Sequence, residues 1–376
     1  MLKKIFLFTT ALIMSAIRVM AQDTAVNFSQ NLTGHTAAVE SVAYSKDGKY
    51  LASGSWDNTV RVYTVDSNGY PKFLRTLTGH MGAVTAIAFN SASTLIATGS
   101  KDFTVRVYDL TTGALVFAAR DNKETISSLA FDTENKFLFS GSFDGTIRAY
   151  DVVNFENNRT EKSIPYGVKI NDILLSSAKG SFIVASSKTS FEQVNGKKQV
   201  MRTFSGHTAG VNSLDLSPNK KIIASGSDDK TIILWDVLTA KEIKRLKGHG
   251  WKVTSVQFST DGKYLLSTCN NGEVKLWDIE AGKCMTNIQP MGNNARMAAF
   301  SSDQSQIAVA SLQNGPMFGV SMYTTPIKIK PVVKKVVKNA KDGKDVKVSD
   351  SKTSQKSNSN EALKNKSNPA VNKKQK

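Results

Sequence analysis

The four histidines of this chain are the first candidates for chemistry, because imidazole serves as a general base or as a metal ligand. Their positions are separated by 45, 127 and 42 residues. Each histidine follows a glycine, in the dipeptides Gly34-His35, Gly79-His80, Gly206-His207 and Gly248-His249. This regular placement predicts one structural task per repeated unit. It leaves no histidine for a metal or a general base.

Carboxylates show the same regularity. They recur at one turn position per unit, as Asp57, Asp102, Asp144 and Asp229. Recurrence in register favours bracing of a repeat over catalysis. The sequence also lacks a Gly-x-Ser-x-Gly elbow, a phosphate-binding glycine loop, a His-Glu-x-x-His motif and a calcium loop. We therefore predict a protein that is not an enzyme and that has no cofactor and no metal.

The two cysteines are the remaining reactive groups. Cys269 ends a predicted second strand, and Cys284 lies in the fourth strand of the same unit. Two strand spacings of about 4.8 Å place their Cα atoms about 10 Å apart, beyond the reach of a disulfide. We expect two free, mostly buried thiols.

A repeat of about 42 residues must position these groups. A second series marks the other end of each unit, at Tyr63, Tyr108-Asp109, Tyr150-Asp151, Trp235-Asp236 and Trp277-Asp278. The gap of 85 residues between Tyr150 and Trp235 requires one hidden unit. Within the first unit, apolar residues alternate over 39–44, 50–54, 59–63 and 73–77, and Asp47-Gly48 is a typical hairpin turn. Each unit is thus predicted to be four short strands.

The fifth unit carries the most specific motifs: Gly206-His207, Ser-Gly-Ser-Asp-Asp at 225–229 and Ile-Ile-Leu-Trp-Asp at 232–236. On these motifs the chain resembles the WD-repeat β-propeller family over residues 23–326. The resemblance implies a hydrogen-bonded structural tetrad of His207, Ser225, Asp229 and Trp235. Other units depart from it, with Tyr63 and Tyr108 in place of Trp, Asn271 in place of Asp, and Asn122 near the place of a His.

Counting units gives seven blades. Unit four (170–204) and unit seven (295–323) keep the strand rhythm without the motifs. The family closes its ring with an N-terminal strand, which residues 24–32 can supply to residues 317–323. We predict an all-β fold: a seven-bladed β-propeller of four-stranded antiparallel blades, closed by an N-terminal strand and followed by a disordered C-terminal tail.

Charge and hydrophobicity divide the chain into three segments. Residues 1–21 combine Lys3 and Lys4 with an apolar run and end in Ala21, which is typical of a secretory signal peptide. Residues 22–326 form the propeller. Residues 327–376 hold fifteen lysines against four acidic residues, a net charge of +11 out of +18 for the whole chain. We expect this Lys-rich tail to be disordered. No transmembrane segment is expected in the mature chain.

The resemblance also implies a binding face at one mouth of the channel. The residues before each turn Asp map to Trp56, Lys101, Phe143, Thr189, Asp228, Asn270 and Leu312. The residues flanking the first apolar position of each inner strand map to Glu40, Thr85, Ser127, Asn171, Asn212, Thr254 and Arg296. Trp251 enters the same face. From these we predict partner binding by Trp56, Lys101, Phe143, Trp251, Leu312, Glu40 and Arg296, with an apolar arc of Trp56, Phe143, Trp251 and Leu312 at its centre. Alternatively, the two tryptophans cap their own blade edges.

Three functions follow, in order of preference. The first is a non-enzymatic scaffold of the bacterial periplasm or cell exterior that binds a protein or peptide through one propeller face. In the second, the Lys-rich tail tethers the propeller to an anionic polymer or surface such as cell-wall polymer, lipopolysaccharide or nucleic acid. The third is a propeller enzyme, for which the predicted rim offers only Glu40 and Asp228 as acids.

Overall fold

Short strands joined by tight turns form the described part of the chain. The computed structural model describes residues 26–154, 160–176, 180–290, 295–311, 318–325 and 327. These residues form 28 strands in seven four-stranded antiparallel sheets. The seven blades predicted from the repeat are therefore confirmed, including units four and seven, which were identified from rhythm alone.

Each blade has four strand positions, numbered outward from the central channel. The innermost strands are β2 (Val39–Tyr44), β6 (Val84–Phe89), β10 (Ile126–Phe131), β14 (Ile170–Leu175), β18 (Val211–Leu216), β22 (Val253–Phe258) and β26 (Ala295–Phe300). The second strands are β3 (Tyr50–Ser55), β7 (Leu95–Ser100), β11 (Phe137–Ser142), β15 (Ser181–Ser186), β19 (Ile222–Ser227), β23 (Tyr264–Cys269) and β27 (Gln306–Ser311). The third strands are β4 (Val60–Val65), β8 (Val105–Asp109), β12 (Thr146–Asp151), β16 (Ser190–Asn195), β20 (Ile232–Asp236), β24 (Val274–Asp278) and β28 (Gly319–Thr324). The outer strands are β5 (Pro71–Leu77), β9 (Leu115–Ala119), β13 (Thr160–Pro165), β17 (Val200–Ser205), β21 (Glu242–Leu246), β25 (Lys283–Ile288) and β1 (Asn27–Thr33).

The ring closes through the strand that comes first in the chain. β1 pairs antiparallel with β28, with Phe28 opposite Tyr323 and Leu32 opposite Val320. Each inner strand contacts the inner strand of the next blade, and β26 contacts β2. The predicted N-terminal closure is thus confirmed, and it supplies blade seven with its fourth strand.

Apolar side chains pack between blades rather than within a single sheet. Between blades five and six, Ile232 and Leu234 of β20 meet Val253 and Val256 of β22, with Trp277 in the same cluster. Full burial of such a side chain contributes about 1.5–3 kcal/mol. This packing holds neighbouring inner strands side by side around the channel.

The same bulge interrupts the innermost strand pair of every blade. In blade one, Val39 pairs with Ser55 and Ser41 pairs with Gly54, so Glu40 is left out of the register. The corresponding skipped residues in the other blades are Thr85, Ser127, Asn171, Asn212, Thr254 and Arg296. A bulge redirects the side chain of its extra residue. All seven therefore come from one repeated backbone feature.

The four residues of the tetrad meet in blade five. His207 lies 2.7 Å from Asp229 through Nδ1 and 2.7 Å from the Ser225 hydroxyl through Nε2. Trp235 Nε1 donates to the same Ser225 oxygen at 2.7 Å. With the tautomer assigned from this network, Nδ1 donates and Nε2 accepts.

In blades three and six, other residues form contacts where the sequence predicted only a loss of tetrad residues. In blade three, Arg148 donates to both Asn122 (2.7 Å) and Asp144 (2.9 Å), so a guanidinium takes the place of the imidazole. In blade six, Glu273 rather than Asn271 approaches His249, with 3.4 Å between Oε2 and Nδ1. The reason is that Glu273 stands two residues further along the same turn.

Both cysteines are free, as predicted, but only Cys269 is buried. The expectation of two mostly buried thiols is wrong for Cys284. This residue lies in β25, which forms the outer edge of the blade-six sheet and is therefore open to solvent.

The terminal segments lie almost wholly outside the described residues. This applies to the predicted signal peptide (1–21) and to the predicted tail (327–376) except Ile327, which is buried with the apolar cluster of blades six and seven. Among the residues described, none belongs to a helix that is long and apolar enough to cross a membrane.

Candidate binding face at one mouth of the channel

The bulged residues gather around a central channel of about 890 Å³. All seven of them line it, together with four residues of the predicted turn set: Lys101, Phe143, Asp228 and Asn270. The bulge supplies the inner members, and the loop between second and third strands supplies the outer ones. The structure thus brings most of the predicted rim to one mouth.

Four of the seven bulged residues have a structural task. Thr85, Ser127, Asn171 and Asn212 each donate a hydrogen bond to the first carbonyl of the next inner strand. The Ser127 and Asn171 bonds measure 2.7 and 2.8 Å. Short polar side chains at these positions therefore tie blades two to six together.

The charged bulged residues of blades one and seven form a different arrangement. Glu40 carries one oxygen 3.4 Å from Arg296 Nε and the other 3.5 Å from Lys101 Nζ. Trp56 Nε1 also donates to the Glu40 carboxylate. The Lys101 ammonium lies 3.8 Å from the centroid of the Trp56 ring, a cation–π distance. We call Glu40, Trp56, Lys101 and Arg296 the blade-one cluster.

The blade-one cluster is both organised and accessible. Glu40 is nearly buried, so its two oxygens are held by neighbours from blades one, two and seven. Trp56 remains 49% exposed, and the side chains of Lys101 and Arg296 are about two-fifths exposed. The cluster can offer an indole, an ammonium and a guanidinium to a partner without first being rearranged.

The other side of the mouth carries two further pairs. The Lys169 ammonium lies 3.6 Å from the centroid of the Phe143 ring. Lys252 Nζ lies 2.7 Å from Asp228, whose other oxygen accepts from Asn212. Lys169 and Lys252 were missed by the sequence analysis. Each directly precedes the first residue of an inner strand, a position that could have been compared across the repeat.

The predicted apolar arc has a different character in the structure. Lysine ammonium groups lie over the rings of Trp56 and Phe143, so these two aromatics present mixed cationic and aromatic surfaces. Trp251 is 56% exposed and, like Trp56, is not among the residues that line the channel. Thr189 is exposed but does not line the channel. Leu312 lies outside the described residues.

Deeper in the channel, two inner strands carry carboxylates that the sequence analysis did not single out. Asp172 accepts from Ser128 and from the Leu214 amide, and Asp215 accepts from the Phe258 amide. Burial raises the pKa of Asp172 to about 6. Burial, together with the nearby charge of Asp172, raises the pKa of Asp215 to about 7. Their signal in the sequence was an acid next to the apolar residues of an inner strand.

The hydrogen bonds of these two acids explain their presence. Each carboxylate reaches across to backbone amides of the following blade, as Gln257 does for Phe300. Asp172 and Asp215 therefore join blades four, five and six. What remains for recognition at the mouth is a set of cations, aromatic rings and amides suited to ion pairs, hydrogen bonds and stacking.

Comparison with known proteins agrees with this architecture. The sequence model described as WD domain, G-beta repeat matches residues 27–64, 71–109, 115–151, 198–236 and 240–278, slightly more than half of the chain. Each matched segment runs from the outer strand of one blade through three strands of the next.

Matching relatives are eukaryotic translation initiation factor 3 subunit I proteins of fungi. The protein of Aspergillus niger is 36% identical over 73 residues, which is 19% of this chain and 20% of the relative. Those of Sclerotinia sclerotiorum and Botryotinia fuckeliana are each 38% identical, over 76 and 73 residues. The chain spans about a fifth of the length of these relatives. The fold, the recurring motifs and the family match together establish that this chain belongs to the WD40 repeat family.

Proposed function

We propose that this chain is a non-enzymatic scaffold that binds a protein or peptide partner at the channel mouth formed around the blade-one cluster. The single observation that carries the proposal is the convergence of Glu40, Trp56, Lys101 and Arg296 from blades seven, one and two. Their ion pairs, hydrogen bond and cation–π contact hold a half-exposed tryptophan in place. Trp and Arg are among the residues most often found at the energetic centre of protein interfaces.

Other features support binding over catalysis. Three of the four histidine side chains are hydrogen-bonded to a turn Asp, and all four to a strand Ser or Thr. The acids at the mouth, Glu40 and Asp228, are each paired with cations. The curated relatives are named as a subunit of a larger factor, which supports association with other chains as the general role.

The test compares two aromatic residues of the same blade. Trp56 and Tyr70 are 49% and 50% exposed, and they lie at opposite ends of β4. The full-length chain, Trp56→Ala and Tyr70→Ala are used as bait in crosslinking pull-downs from cells of the source organism, with quantitative mass spectrometry.

The expected result is a partner that is lost with Trp56→Ala and kept with Tyr70→Ala. Purified partner should then show a decrease in affinity of about 2 kcal/mol, typical of a central tryptophan. Equal recovery of every partner with both variants would exclude this face. A Lys101→Glu variant should also weaken binding, because it reverses a charge of the same cluster.

The cellular location of the protein is proposed from its sequence alone. Residues 1–21 support export to a periplasm or to the cell exterior of a bacterium, and the fungal relatives carry no statement on this point. N-terminal sequencing of the protein recovered from its native cells checks the expected start at Gln22. A start before residue 22 would contradict the signal peptide.

A second candidate role is attachment to an anionic surface through residues 327–376. The concentration of +11 net charge in this segment favours it. The expected result is that the full chain binds a polyanion column at low salt and that a chain ending at residue 326 does not. Retention of the truncated chain would assign the binding to the propeller instead.

A further inference from the structure

Blade six differs from its neighbours at three positions around the tetrad histidine. In blades one, two and five the surrounding residues are a Ser at the end of the second strand, the turn Asp and a Thr two residues later. These are Ser55, Asp57 and Thr59; Ser100, Asp102 and Thr104; and Ser227, Asp229 and Thr231. In blade six the same positions hold Cys269, Asn271 and Glu273. A thiol and a carboxylate have thus replaced two hydroxyl groups beside a histidine.

These groups lie within reach of one another. His249 Nδ1 is 3.4 Å and Cys269 Sγ is 3.6 Å from the same oxygen of Glu273. All three candidate ligand atoms lie within 4.8 Å of each other. A metal held at about 2.0–2.3 Å from N, O and S ligands requires atoms at such separations, with small adjustments of side chains.

One nitrogen of the His249 imidazole also lacks a hydrogen bond within the described part of the chain. In blades one, two and five the tetrad Nδ1 lies 2.7–3.0 Å from an Asp oxygen. His249 Nδ1 is buried and finds no hydrogen-bond partner among the described residues. Its other nitrogen, Nε2, lies 2.7 Å from the Ser267 hydroxyl. A proton on Nε2 would be accepted by Ser267 and would leave the Nδ1 lone pair facing Glu273 and Cys269, as in metal-binding histidines.

Burial and the charge of Lys275 act on the ionisation of these groups. Burial and the positive charge of Lys275 lower the pKa of His249 to about 4, so the imidazole is neutral at pH 7. Burial opposes ionisation of Glu273, but the positive charge of Lys275 lowers its pKa, so it is a carboxylate. Burial raises the pKa of the Cys269 thiol, so a metal that binds it must displace the thiol proton.

We propose that blade six binds a divalent transition metal, best fitted by Zn²⁺, through Nδ1 of His249, Sγ of Cys269 and a carboxylate oxygen of Glu273. Binding converts the Cys269 thiol to a metal-bound thiolate and releases one proton to solvent. Asn271 Oδ1, which lies 2.8 Å from Sγ, or a water molecule can complete four ligands. Mixed N, S and O ligands suit Zn²⁺ better than Mg²⁺ or Ca²⁺.

Lys275 limits the affinity of this site. Its ammonium lies 3.6 Å from the Glu273 oxygen and serves as the counter-ion of the metal-free site. A bound cation must displace it toward solvent. The equivalent residue of blade five is Ile233. Lys275→Ile should therefore raise the affinity for Zn²⁺ by about tenfold or more, because it removes a repulsive charge.

The test uses the full-length chain treated with a chelator, then Zn²⁺ in calorimetry and Co²⁺ in absorption spectroscopy. We expect one ion per chain, release of a proton, and a sulfur-to-Co²⁺ charge-transfer band. Cys269→Ser and Glu273→Thr introduce the residues of blade five. Each should abolish the band or weaken Zn²⁺ binding by well over about tenfold, since even residues outside the ligand set change affinity about 10–100-fold. Cys284→Ser, in the same blade, is the matched control and should bind normally.

Two results would overturn the proposal: no Zn²⁺ binding by the native chain, or binding and a charge-transfer band that survive Cys269→Ser. Loss of the fold is separated by thermal unfolding in chelator, where Cys269→Ser should match the native chain because six other blades carry Ser at this position. If Cys269→Ser nevertheless unfolds, Glu273→Thr and the Cys284→Ser control decide the matter with the same two readouts.

Discussion

Blades five and six share a histidine, a strand serine and a tryptophan, but they complete the brace differently. In both blades the serine hydroxyl lies 2.7 Å from the imidazole Nε2 and 2.7–2.8 Å from the indole Nε1. On the other side of the ring, His207 meets Asp229 at 2.7 Å, whereas His249 lies 3.4 Å from Glu273. The brace thus consists of two halves that can vary separately.

The difference has a structural reason. The serine and the tryptophan stand on adjacent paired strands, so the register of the sheet fixes their half of the brace. The acid stands in a turn, where a change of residue does not disturb the ladder. Substitution at the turn can therefore alter chemistry, as in blade six, while the strand half maintains the blade.

The largest effect is expected from Asp229→Ala. Asp229 accepts from His207 and from the amides of Thr208 and Thr231, so its removal leaves several partly buried donors without partners. The free energy of unfolding should fall by about 3 kcal/mol in urea titrations. The matched change in blade six, Asn271→Ala, should cost only about 1 kcal/mol. Equal losses would show that the two turns are equivalent after all.

A pH effect should distinguish the inner strands of the two blades. The pKa of Asp215 is raised from 3.8 to about 7 by burial, whereas blade six has Gln257 at this position. A raised folded pKa gives stability that is full below pH 3.8 and is lost as the pH rises toward 7. This group should therefore lower the free energy of unfolding by roughly 2–3 kcal/mol between pH 5 and pH 8.

Exchanging the two residues checks that pH effect. Asp215→Gln should remove this part of the decline while keeping a hydrogen bond to the Phe258 amide. Gln257→Asp should add a decline of the same sign. Denaturant titrations across the pH range give the measurement. A native profile that Asp215→Gln leaves unchanged would contradict the raised pKa.

A smaller loss of stability, equal in the two blades, is expected when either core tryptophan is replaced. Trp235→Phe and Trp277→Phe each remove one hydrogen bond to a buried serine and should each lower the free energy of unfolding by about 1–2 kcal/mol. Trp251→Phe, at a 56% exposed position, should change it by less than about 0.5 kcal/mol. A clear difference between the first two would mean that the strand half is not shared.

The smallest change concerns the thiols of blade six and leaves stability unaltered. Cys284 is exposed and Cys269 is buried, so a thiol reagent should titrate one group in the native chain and two after unfolding. Cys284→Ser should leave no group that reacts rapidly in the native chain. Rapid reaction of both thiols without denaturant would show that the turn of blade six opens readily.

Much of this architecture was predictable because its signals are local and repeated. The hydrogen-bonded pairs of the blade-five tetrad lie 10 to 22 positions apart along the chain, so their spacing is visible in a single unit. The rim was implied by the resemblance to the WD-repeat family, in which Glu40 and Arg296 occupy one position of the repeat. The lysines over Trp56 and Phe143 were not recognised as their partners, because each comes from the following blade or the loop leading to it.

The sequence by itself determined the number of blades, because alternation and turn chemistry act within some 40 residues. The closure by the first strand and the residues of the brace followed from the resemblance that these repeats bear to the WD-repeat family. Only the tertiary structure decided which groups share an environment. Asp172 and Asp215 acquired their raised pKa values from burial between blades, and Glu273 acquired its position beside His249 and Cys269 from the path of one turn. Such effects depend on packing in three dimensions, which cannot be predicted from the spacing of residue types along the chain.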